Sequence, residues 1–198
     1  MKTAVLYIHG KGGSASESEH YKPLFPYYEV IGLDYKSFTP WVTGNEIQTA
    51  VKTLREDHEK IILIANSIGA YFCMHADIEK PVQTAFFISP IVDMERLILD
   101  MMKWANVSES DLKRERVITT PFGEDLSWDY LCYVREHPLK WNITTHILYG
   151  ENDNLTSIDT ITDFAARHNA SLTVMENGEH WFHTEEQLKY LDNWIHSH

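Results

Sequence analysis

The stretch Lys60-Ile61-Ile62-Leu63-Ile64-Ala65 is unbroken apolar sequence after its first residue. A strand with one wet face alternates polar and apolar side chains. One this apolar must be covered on both faces, which is the environment of a parallel sheet. Five further runs have the same β-branched, apolar character: Ala4 to His9, Glu29 to Asp34, Thr84 to Ser89, Thr145 to Gly150 and Ser171 to Met175. Helical spacing lies between them. Ile47, Ala50, Val51 and Leu54 follow Thr43-Gly44-Asn45-Glu46, which has the form of a capping box. Ile158, Ile161 and Ala165 mark another helix, and Leu188, Leu191 and Ile195 a third behind Thr184 and Gln187. Strands alternating with helices predict an α/β, doubly wound parallel sheet of about six strands with right-handed crossovers.

The 198 residues are expected to form one domain, 1–198. A chain of this size buries roughly 70% of its unfolded surface, enough for a core without a disulfide or metal staple. Only the stretch 91–144, between the fourth and fifth apolar runs, is longer than a crossover helix needs. Leu97, Ile98, Met101, Met102 and Trp104, then Leu126, Trp128 and Leu131, suggest two or three helices there, either as an insertion or as ordinary core helices. Seventeen basic against twenty-nine acidic residues give a net charge of −12. Such a surface repels polyanions, so neither nucleic acid nor an anionic membrane is an expected partner. The first apolar run is too short for a signal peptide and no run reaches the length of a membrane span, so the expectation is a cytoplasmic protein with Cys73 and Cys132 reduced.

Several loops carry chemistry. The third run enters Ala65-Asn66-Ser67-Ile68-Gly69-Ala70, a small-x-Ser-x-Gly turn between strand and helix. Small residues two before and two after the serine let strand and helix approach, and the helix N-terminus behind it favours a developing oxyanion. The first run ends in His9-Gly10-Lys11-Gly12-Gly13-Ser14, a loop whose backbone can approach a ligand. Its lysine and glycine spacing fits neither a phosphate loop nor a dinucleotide fingerprint. Tyr149-Gly150-Glu151-Asn152-Asp153 follows the fifth run, and Asn177-Gly178-Glu179-His180-Trp181 the sixth. Serine, acid and histidine thus occur in that order at strand C-terminal ends, the edge where open α/β sheets bind ligands. Glu151 competes with Asp153 for the acid, and His183 with His180 for the base. No metal is expected, since no His-Glu-x-x-His or paired Cys-x-x-Cys occurs, and no cofactor is called for. Trp104, Trp128 and Trp181 are candidates for lining an acyl pocket, against ordinary packing.

On these loops and turns the chain resembles a small member of the α/β-hydrolase superfamily over essentially its whole length, with Ala65 in place of the usual first glycine of the elbow. The resemblance implies Ser67 as nucleophile, His180 as general base and acid, and Asp153 as the residue orienting it. It implies an oxyanion hole from the backbone N–H groups of Ile68 and Lys11, six parallel strands in the order 2-1-3-4-5-6, and 91–144 in the place of a helical cap. The activity it implies is cleavage of small-molecule carboxylic esters of small, uncharged or apolar acyl groups through an acyl-enzyme. The same triad serves thioesters and amides, and a non-catalytic binding protein can keep the same fold.

Overall fold

A computed structural model describes residues 2–198 of the protein. The chain divides into two compact units, one made of residues up to Val92 together with Lys140–His198, the other of Asp93–Leu139. The expectation drawn from the sequence set the inserted stretch at 91–144.

The first unit opens with β1 (Thr3–Ile8), a 3₁₀ segment (Ala15–Leu24), β2 (Glu29–Gly32), α1 (Pro40–Asp57), β3 (Lys60–Asn66), α2 (Ile68–Met74) and β4 (Val82–Ile88). The second unit holds α3 (Met94–Trp104), α4 (Glu109–Glu115), β5 (Val117–Thr119), β6 (Asp125–Ser127) and α5 (Trp128–Glu136). The first unit then resumes with β7 (Thr144–Gly150), α6 (Ile158–His168), β8 (Ser171–Met175) and α7 (Glu185–His196).

Its sheet runs β2-β1-β3-β4-β7-β8, and every neighbouring pair is parallel. Six parallel strands are what the alternation of the sequence predicts, and this order is the one the resemblance implies. Side-chain alternation splits each central strand between two covered faces. Val5 and Tyr7 of β1, Ile64 of β3, Phe86 and Ile88 of β4 and Leu148 of β7 share one cluster with Tyr21 and with Leu191, Trp194 and Ile195 of α7. Ala4, Leu6 and Ile8 are equally buried. They alternate with Val5 and Tyr7, so they belong to the opposite face, where α2 packs on β1, and α1 on α2 and β3.

α1 starts earlier than its capping-box sequence suggests. Thr39 is its cap and Pro40 its first residue, because proline has the helical φ built in and no N–H to leave unpaired. Thr43 is then inside the helix, and its hydroxyl donates to the Ser37 carbonyl at 2.5 Å.

The second unit holds three helices and also a hairpin, β5 pairing antiparallel with β6. The hairpin was not anticipated. Two three-residue strands are too short to show alternation, and only Gly123, at φ +85°, marks the turn. Arg135 of α5 joins the helices of this unit, donating to Glu95 at 2.6 Å and in two parallel bonds to Glu109 at 2.8 and 2.9 Å.

Candidate active site

β3 ends and α2 begins within two residues, and Ser67 between them takes φ 50°, ψ −121°. A side chain in that region is strained by about 1–3 kcal/mol, held only when its surroundings over-determine it. Here they do. The Ser67 N–H donates to the Ile88 carbonyl at 2.9 Å, and its carbonyl accepts from Ile91 at 3.1 Å and Ala70 at 3.2 Å. Gly69 explains the small residue two after the serine. A Cβ at this position would stand 2.5 Å from the His9 carbonyl oxygen and 2.8 Å from that of Ile8. Gly10 does the same from the other side, its missing Cβ lying 3.2 Å from the Ser67 Cβ. β1 and the serine turn are therefore as close as two backbones allow.

A continuous hydrogen-bond chain leads away from the serine. Ser67 Oγ lies 2.8 Å from His180 Nε2. His180 Nδ1 lies 2.7 Å from Asp153 Oδ2. A carboxylate only accepts, so Nδ1 carries the proton and Nε2 is left to accept from the serine hydroxyl. The Asp153 side chain is 0% exposed. Its other oxygen, Oδ1, accepts from the backbone N–H of Leu155 at 2.8 Å and of Thr156 at 3.1 Å. Burial, and then the Asp153 charge, push the neighbouring Tyr149 phenol up to about 12. Its hydroxyl stays protonated and donates to the Thr156 carbonyl at 2.7 Å.

The loops bearing acid and histidine are laced together by backbone. Glu151 N–H donates to Met175 O at 3.0 Å and Asn152 N–H to Gly178 O at 2.7 Å. Gly150 and Gly178 permit this. A Cβ on Gly150 would meet the Glu179 carbonyl at 2.4 Å, and one on Gly178 would lie 3.0 Å from Gly150 Cα. Sequence reasoning passed over both glycines. Their only signal is that each sits within three residues of a predicted strand end and of a candidate catalytic group.

The competing residues are occupied elsewhere. Glu151 turns its carboxylate to the Asn177 N–H at 2.9 Å, bracing the histidine loop. His183 holds its Nδ1 on the Trp181 carbonyl at 2.8 Å, and its N–H donates to Gln187. His9 is buried and stacked on Tyr35, with ring centroids 4.1 Å apart, and its Nδ1 donates to the Gly10 carbonyl at 2.8 Å.

Of the expected oxyanion donors, Ile68 is the first residue of α2, where helical N–H groups lack intrahelical partners. Lys11 lies in the turn after β1, its ammonium 5.9 Å above the Phe38 ring. The three tryptophans are divided between the two units. Trp181 follows His180 directly and is 69% exposed, its ring stacked on His183. Trp104 and Trp128 belong to the second unit. Trp104, 53% exposed, meets Phe122 edge-on, and Trp128 lies under the Lys113 ammonium.

Among the described residues no group of three or more His, Cys, Asp or Glu side chains could hold a metal ion, and no helix is long and apolar enough to cross a membrane.

No protein-family model matches the chain. A Mycoplasma genitalium protein provisionally named esterase/lipase 3 is 34% identical over 85 residues, covering 38% of this chain and only 30% of that protein's own length. Solved structures match far more of the chain. A provisionally named hydrolase from Agrobacterium vitis superposes with a TM-score of 0.78 at 14% identity, over 99% of this chain and 87% of the other. The α/β-hydrolase domain-containing protein 10 from mouse gives 0.75 at 14% identity, over 98% and 88%. Est1E from Butyrivibrio proteoclasticus gives 0.73 at 16% identity, over 99% and 86%. The six-stranded parallel sheet, its strand order and these superpositions agree: the chain has the α/β-hydrolase fold.

Proposed function

We propose that the protein is a serine hydrolase that cleaves carboxylic esters of small, uncharged or apolar acyl groups. The observation that carries this reading is the unbroken chain from Ser67 Oγ through His180 to the buried Asp153 carboxylate. The names of the hydrolases and esterases that share the fold support it.

In this reading the Ser67 hydroxyl, a poor nucleophile alone, gives its proton to His180 Nε2 as Oγ attacks the ester carbonyl. Asp153 holds the ring in the tautomer that leaves Nε2 open, and its charge stabilises the imidazolium. The tetrahedral oxyanion is met by the N–H groups of Ile68 and Lys11, each such donor worth roughly 3–4 kcal/mol. His180 then protonates the departing alkoxide. The acyl group stays on Ser67 until water, activated by the same imidazole, releases it as the carboxylic acid. The substrate is a small molecule, and the charge of −12 disfavours polyanionic ones.

A series of p-nitrophenyl esters of increasing acyl length tests this, alongside thioester and anilide analogues. Turnover of the short esters by the wild type, abolished in Ser67→Ala together with fluorophosphonate labelling, is the expected result. Labelling with turnover confined to thioesters or anilides overturns the ester assignment. Absence of labelling overturns the hydrolase reading and leaves a binding protein of the same fold.

A further inference from the structure

The expected oxyanion donors stand on separate pieces of chain, Ile68 on α2 and Lys11 in the loop after β1. A site built from both needs one frame to hold them. Side chains outside the triad supply a candidate. Asn66, immediately before Ser67, donates from Nδ2 to the Tyr7 hydroxyl at 3.0 Å. The Tyr7 hydroxyl in turn donates to Glu17 Oε2 at 2.5 Å. Tyr7 is 1% exposed, and burial holds its phenol far above the ordinary range, so it remains a protonated donor. With a carboxylate that only accepts, the single phenolic proton points to Glu17, and the phenol oxygen is left to accept from Asn66. Asn66 Oδ1 is buried without a hydrogen-bond partner among the described residues, so the amide is held from its Nδ2 side, by the Tyr7 hydroxyl and the neighbouring Tyr21 phenol.

Glu17 reaches the other half of the site as well. Its carboxylate lies against Gly13, where a Cβ would stand 2.8 Å from Oε2 and 2.9 Å from Oε1. The Gly13 N–H donates to the Gly10 carbonyl at 3.2 Å, closing the turn that contains Lys11. One carboxylate thus abuts the turn of the first loop and, through a buried phenol, fixes the residue before the serine.

We propose that Glu17 is a positioning residue that sets the oxyanion donors of Lys11 and Ile68 in register, acting through Tyr7 and Asn66 on one side and Gly13 on the other. The proposal rests on the reading of Ser67 as the nucleophile. Three variants separate the contributions. Tyr7→Phe removes the bridging hydroxyl and keeps the ring against Tyr21. Glu17→Ala removes the carboxylate. Glu17→Gln keeps an oxygen that can accept from Tyr7. Glu17 is exposed, so its variants keep the proposal testable should Tyr7→Phe fail to fold.

Two readouts are taken on each full-length variant. The first is hydrogen exchange of the segments 10–14 and 66–70. The second is steady-state hydrolysis of a p-nitrophenyl ester. Tyr7→Phe and Glu17→Ala should exchange faster in both segments and lose about 10–100-fold in kcat with KM little changed, as misplacement of a catalytic group does. Glu17→Gln should recover most of the rate lost in Glu17→Ala. Unchanged exchange in both segments overturns the mechanical link. Faster exchange with kcat intact overturns the positioning role. A wild type that hydrolyses no ester and takes no fluorophosphonate overturns the serine-hydrolase reading and the positioning role with it, while the exchange data still decide whether the link exists.

Discussion

Asp153 divides its work between two oxygens, and that division makes its substitutions informative. Oδ2 faces His180, while Oδ1 closes a turn onto the N–H groups of Leu155 and Thr156. In Asp153→Asn the amide oxygen can keep the turn, but the NH₂ then faces Nδ1 and forces the imidazole into the wrong tautomer. The expected result is a loss of about 10,000-fold in kcat with a nearly unchanged unfolding midpoint. In Asp153→Ala the N–H groups of exposed Leu155 and buried Thr156 also lose their acceptor, and stability falls by about 1 kcal/mol besides. Paired kinetics and chemical denaturation separate the two. The serine was legible in the sequence because its turn stands between an apolar strand and a helix start. The acid is read as Asp153 with Glu151 as its rival, since both follow β7 two residues apart, and backbone geometry turns Asp153 onto His180 and Glu151 onto Asn177. Gly69 is a steric counterpart at this scale. Gly69→Ala would press a methyl into backbone oxygens of His9 and Ile8, neither of which can swing aside. A destabilisation of about 1–3 kcal/mol is expected in urea denaturation, as for other overpacked sites.

α7 shows why some element boundaries could be read and others could not. Thr184 and Gln187 form a full capping box. The Thr184 hydroxyl accepts from Gln187 N–H at 3.2 Å, and the Gln187 side chain accepts from Thr184 N–H at 3.3 Å. Gln187 Oε1 also takes the His183 N–H at 3.0 Å, so this cap anchors the end of the loop that carries His180. Thr184→Ala should cost about 1 kcal/mol, lowering the melting temperature by about 2–4 °C for a domain of this size. Gln187→Ala should cost more, because two N–H groups lose one buried acceptor. Differential scanning calorimetry of both variants checks the order. Thr43-Gly44-Asn45-Glu46 has the same form and fails as a cap, because Pro40 three residues earlier had already set the helix and Ser37 took the hydroxyl. A capping box is read from side chains that could bond, and a nearby proline decides whether the backbone reaches that position as a boundary. The β5–β6 hairpin failed for a different reason, since strands of three residues carry less than two periods of alternation.

At the scale of the chain, continuous apolar runs separated by helices were enough to predict six parallel strands, while their order came from the resemblance carried by the loops. The division of the chain was less legible, since Ile91 and Val92 are as apolar as core residues and belong with the first unit, as does 140–144. The two cysteines fall one in each unit and provide separate reporters of their opening. Cys73 lies on α2 at 0% exposure, and burial pushes its thiol well above the ordinary range. Cys132 lies on α5 of the second unit and is half-buried. Alkylation needs the thiolate and access to it, and at Cys73 both require α2 to leave the sheet, an opening close in cost to unfolding the first unit. Under native conditions iodoacetamide should therefore modify Cys132 while Cys73 stays intact. Increasing urea should bring in Cys73 over the same range in which the tryptophan fluorescence of Trp141 and Trp194 in the first unit changes. Peptide mass spectrometry at each concentration checks this. Modification of Cys73 well below that transition would mean that α2, and with it the turn holding Ser67, opens locally without the sheet.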